Sequence, residues 1–218
     1  LAWRGALLYR RQDTTGNVLT TQWVDSHGSP RLPPRSWPGA QVLRFAAVDT
    51  RGNALVGWKA DADAPTQAQW ILPNDEPLGA SFDLPMESSG DILAPLIGGG
   101  FVWNRMALLL PGQPPDPSVP GWLTTRPGAF RIINRAHAYA FYKEFADPPG
   151  TCSTPSVTLM APDGTFCGTV DLLTEGETCG QPVRVGVDGT LMQSITLPRD
   201  PNQDLETSVW RWWPGLFR

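Results

Sequence analysis

The sequence predicts an all-β protein, and three observations carry the prediction. Gly and Pro together supply 45 of 218 residues (22 plus 23), hydrophobic residues reach 41%, and short apolar alternations recur between tight-turn signals. An apolar share that high excludes disorder, so the Gly and Pro punctuate many short strands. The length suffices for a substantial core and by itself allows one domain or two. We read residues 1–218 as a single repeat-built β domain. The opening at Leu1, with neither a start Met nor a basic, apolar leader, raises the expectation that the chain is a fragment of something longer.

Taken in order, "GALLYRR" (Gly5–Arg11) and "VLTTQWV" (Val18–Val24) flank a turn at Gly16. "VLRFAAV" (Val42–Val48) and "ALVGW" (Ala54–Trp58) flank one at Gly52, and "SVTLMA" (Ser156–Ala161) and "TFCGTVDL" (Thr165–Leu172) one at Gly164. Asp, Thr or Ser before Gly with a small polar residue after it suits a tight hairpin, because positive φ costs Gly nothing. "VRVGVDGTLMQSITL" (Val183–Leu197) is a further hairpin turning at Gly189. "NRAHAYAFYKEFA" (Asn134–Ala146) alternates small and large residues and is expected as a strand in which His137, Tyr139 and Phe141 share a face. Two proline-rich stretches, Asp25–Gly39 and Pro111–Gly121, exclude helix and central strand and belong at the surface.

Aligned on turn glycines, Gly16, Gly52, Gly90, Gly128 and Gly164 follow one another at 36, 38, 38 and 36 residues. A unit of that size cannot bury its own faces, and stacking such units radially buries them. The turn-and-strand repeats, "DTTGNVLTTQWV" and "DTRGNALVGWKA" above all, resemble the blades of β-propellers. The resemblance implies about five to six short blades, with "LAWRGALLY" (Leu1–Tyr9) and "TSVWRWW" (Thr207–Trp213) sharing one. The alternative is a β-sandwich, which also yields short alternating strands between frequent turns.

Three cysteines cluster in one region, without a CxxC pair and without His27 or His137 at ligand spacing, so neither a metal nor another cofactor is expected. With a two-residue turn at Asp163–Gly164, Cys167 falls opposite Met160 near the turn, while Cys152 and Cys179 return to the far end. The expected disulfide is Cys152 to Cys179, with Cys167 a free buried thiol. A disulfide places the chain in an extracytoplasmic compartment: periplasm, cell surface or secreted.

Chemistry is hard to find. Asp25, Ser26 and His27 are loop neighbours whose side chains diverge, so an Asx or Ser turn is expected there in place of a triad. Gly98–Gly100 is followed by Phe101, Val102 and Trp103 where a phosphate loop needs Lys and a hydroxyl, and a sharp turn is the better reading. Asp61 with Asp63, and Asp75 with Glu76, are adjacent on proline-bounded loops and cannot set a glycosidase separation. No catalytic residue is assigned, and the chain is not expected to be an enzyme.

A net charge of −4 leaves no basic stripe for nucleic acid, and no apolar run is long enough for a membrane span. The ten tryptophans are the compositional excess that suggests binding. In "VWRWWPGLFR" the alternation puts Trp210 and Trp212 on one strand face and Arg211 and Trp213 on the other. Trp37, Trp122, Trp210 and Trp213 are taken as the candidate interaction surface. The expected function is a non-catalytic module for binding another protein or for self-assembly. The alternative is a carbohydrate-binding module in which exposed Trp and loop carboxylates hold a glycan.

Overall fold

A computed structural model describes residues 19–25, 27–61, 63–84, 93–124, 130–133, 137–142, 156–171, 183–186, 190–196 and 208–214. The fold is all-β, with several small antiparallel sheets and, among the described residues, one helical turn, α1 (Gly121–Thr124). The chain divides into two compact units, Leu1–Val119 and Pro120–Arg218.

In the first unit, β1 (Thr20–Thr21) pairs with β2 (Arg35–Ser36). β3 (Val42–Val48), β4 (Ala54–Lys59), β5 (Gln67–Ile71) and β6 (Pro77–Asp83) form a four-stranded sheet in chain order. β7 (Leu93–Pro95), β8 (Phe101–Trp103) and β9 (Ala107–Leu109) form a three-stranded one. In the second unit, β10 (Phe130–Ile133), β11 (Ala138–Tyr142), β12 (Ser156–Met160) and β13 (Phe166–Asp171) make another four-stranded sheet. β14 (Val183–Val185), β15 (Leu191–Thr196) and β16 (Ser208–Trp213) make another three-stranded one. Every neighbouring pair is consecutive in the chain and antiparallel, as short connections dictate.

The hairpin at Ala161–Thr165 differs from the two-residue turn expected at Asp163–Gly164. Asp25–Ser29, Asp49–Asn53, Leu72–Glu76, Leu96–Gly100 and Ala161–Thr165 share one five-residue pattern: the first N–H donates to the fifth carbonyl, and the fourth N–H donates to the first carbonyl. The fourth residue has positive φ each time: Gly28, Gly52, Asp75, Gly99 and Gly164. These are three-residue hairpin loops closed by a left-handed residue, a position that favours Gly and tolerates Asp. In four of the loops a side chain reinforces the turn. Asp25 and Asp49, at the first position, each accept from the third and fifth backbone N–H through Oδ1. Asn74 and Asp163, at the third position, each accept from the fifth.

Among the described residues the period of 36 to 38 residues is not seen as a structural repeat. Gly52 closes the first hairpin of its sheet, β3 to β4, whereas Gly164 closes the third of its sheet, β12 to β13, so the two glycines are not equivalent. Their sequence match reflects a shared loop type closed by Gly at its fourth position. Gly16, Gly90 and Gly128 lie outside the described residues, as does the Leu1–Tyr9 segment expected to share a blade with β16.

Among the described residues the first unit holds two apolar clusters. One gathers Trp23, Trp37, Trp58, Val56 and Ile71, with Trp37 and Trp58 ring centroids 4.8 Å apart. The other gathers Leu55, Trp70, Phe101, Trp103 and Leu109, with Trp70 stacked on Phe101 at 5.8 Å. β4 is buried along its whole length because alternate residues enter different clusters: Ala54, Val56 and Trp58 the first, Leu55 the second. Between sheets, the buried Asp49 carboxylate holds its own loop through Oδ1 and accepts Gly100 N–H through Oδ2 at 2.9 Å. Thr50 Oγ1 donates to the Leu96 carbonyl alongside, so the β3–β4 and β7–β8 turns are fastened together.

The proline-rich stretches run largely at the surface, and the burial of Trp37 is the difference from expectation. Arg35–Ser36 forms β2, an edge position compatible with the flanking prolines. Arg35 then bridges to Asp75, with Nε 3.0 Å from Oδ2. Trp37 turns inward to the core.

Candidate interaction surface

β16 supplies two of the three most exposed large aromatic side chains among the described residues. Its register sets Trp213 opposite Leu191 and Trp212 opposite Met192, with Trp210 opposite Ser194 on β15. Leu191 is fully buried, so its face is the inward one, and Trp213 across from it is half-buried. Strand alternation then sends Trp210 and Trp212 outward, 54% and 62% exposed, with half-buried Met192 beside Trp212. The expected alternation of "VWRWW" therefore holds for these three tryptophans.

Of the sequence-derived surface, Trp213 lies half-buried on the inward face and leaves the set, and two further tryptophans change sides. Trp37 is 7% exposed, packed on Trp58 with its Nε1 donating to Thr21 Oγ1 at 2.9 Å, so it is a core residue and leaves the candidate surface. A short strand pairing beside it turns the proline-rich loop over the sheet, which composition alone does not reveal. Trp212, absent from the candidate set, is the most exposed of the rings on β16 and enters it. Its i to i+2 relation to Trp210 was the available signal.

Trp122 is half-buried on α1. Its ring tilts against Tyr139 at 5.4 Å and meets Phe141 edge-on at 6.1 Å. A Cβ at Gly164 would fall 2.5 Å from its indole, so the glycine permits this approach. Trp122 thereby anchors the α1 turn to the β10–β13 sheet. His137 is exposed with φ 46° in the turn before β11, and does not share the buried face of Tyr139 and Phe141 as expected.

Cys167 is free and exposed, contrary to the buried thiol expected. Val157 pairs with Val170 and Leu159 with Gly168, but Met160 pairs with Phe166, so Cys167 is the extra residue of a β-bulge. The three-residue loop shifts the register by one next to the turn, and the bulge restores it. The shift displaces Cys167 from its place opposite Met160. Phe166 beside it is 59% exposed, a feature the sequence reading missed. Cys152 and Cys179 lie outside the described residues.

The loop carboxylates mostly serve their own loops. Backbone N–H groups of Ser29 and then His27 hold the Asp25 carboxyl below its ordinary value. Asp116 is lowered by the Ser118 hydroxyl and then its N–H, and Asp163 by the Thr165 N–H and then its hydroxyl. Asp61 Oδ1 accepts from the N–H of Asp63 and Ala64. The Asx turn expected at Asp25–His27 is present. Among the described residues no group of three or more His, Cys, Asp or Glu side chains is placed to hold a metal ion, and no helix is long and apolar enough to cross a membrane.

No protein-family model matches the chain, and no curated protein matches it. Among solved structures it is similar to one described as "Crystal structure of the eukaryotic initiation factor", at 10% identity and a TM-score of 0.39, over 94% of this chain. The match spans 62% of that chain, less than two thirds of its length. A likeness at this level carries no argument about fold or function.

Proposed function

We propose that this chain is a non-catalytic, extracytoplasmic, propeller-like β module that binds another protein or assembles with copies of itself through the Trp210 and Trp212 face of β16. The observation that carries the proposal is the exposure of those two rings, 54% and 62%, on one strand face. Trp, with Tyr and Arg, is enriched where interfaces concentrate binding energy. With up to about 250 Å² buried per Trp side chain, the two rings offer roughly 290 Å². That is well below the ~800 Å² per partner of a standard interface. The rings therefore act as anchors within a wider contact.

Exposed indoles also stack on sugar rings, which keeps a carbohydrate ligand as the second reading. The protein reading is favoured because most of the described loop carboxylates, those of Asp25, Asp61, Asp116 and Asp163, already hold backbone N–H groups of their own loops. The propeller-like arrangement draws support from the two four-stranded meandering sheets, the form of propeller blades. An experimental structure in which the sheets do not surround a common axis would remove it.

The test compares wild type with a W210S/W212S variant by size-exclusion light scattering and by affinity capture from the native source. The expected result is an assembly or a captured protein with the wild type, weakened at least tenfold in the variant. Equal behaviour of the two overturns the assignment, and binding on a glycan array abolished by the variant would transfer it to carbohydrate. The compartment rests on the Cys152 to Cys179 pairing read from the sequence. Intact mass of protein from its natural source, with and without reductant, should differ by two hydrogens, and three free thiols would sink the extracytoplasmic assignment.

A further inference from the structure

We draw no further inference here: the strongest candidate, the β-bulge of β13 that presents exposed Phe166 beside the free Cys167 thiol, is a lone cysteine next to a single ring, and nothing in the structure shows what would cover or modify it.

Discussion

β4 and β16 are both six-residue antiparallel strands, yet one is buried along its length and the other turns two tryptophans to solvent. β4 lies between β3 and β5 and feeds both apolar clusters of the first unit. β16 stands at the end of its sheet order, with Leu191 and Trp213 marking its covered face. The comparison teaches that tryptophan content says little about binding. Trp70 and Trp103 are hydrophobic filling, whereas Trp210 and Trp212 are surface, and the difference lies in what covers each strand.

The largest effect should come from the filled side. Trp70→Ala removes a ring 1% exposed and stacked on Phe101, and should cost about 3–5 kcal/mol in urea unfolding of the intact chain. A loss below 1 kcal/mol would mean that the cluster around Trp70 is not a packed core. Next comes the fastening between sheets. Asp49→Ala leaves the N–H groups of Arg51, Asn53 and Gly100 without their acceptor, and the buried one at Gly100 sets an expected cost of about 1–3 kcal/mol. Hydrogen exchange should show faster amides in both turns, and acceleration confined to the β3–β4 turn would break the link drawn between them.

On the open side the same chemistry should matter far less for folding. The W210S/W212S variant should unfold within about 0.5 kcal/mol of wild type, as surface substitutions do. A large destabilisation would show that the β16 face is covered after all. The smallest effect concerns the exposed loops. Asp25, Asp116 and Asp163 have folded values below their ordinary 3.8, so each loop's extra stability is present above that value. It fades as the pH falls from 3.8 through the lower folded value. Carboxyl titration by NMR should show these three protonating below the ordinary aspartate value of 3.8, with amide exchange at Ser29, Ser118 and Thr165 rising in that window.

By itself the sequence determined the all-β class, the extents of β3, β4, β12 and β16, and the alternation that sends Trp210 and Trp212 to one face. Those features depend on neighbours along the chain: side chains of a strand alternate, and Gly admits positive φ wherever it stands. Loop length, register and cover were decided by tertiary structure. Gly52 and Gly164 occupy the same kind of loop in non-equivalent hairpins, so a local signal was read as a global period. Cys167 came out exposed because β13 ends its sheet with this face open, where even Phe166, opposite buried Met160, is 59% exposed. Trp37 was removed from the surface by packing on Trp58, some twenty residues along the chain. Burial depends on which distant strand arrives above a side chain, and no local pattern encodes that arrival.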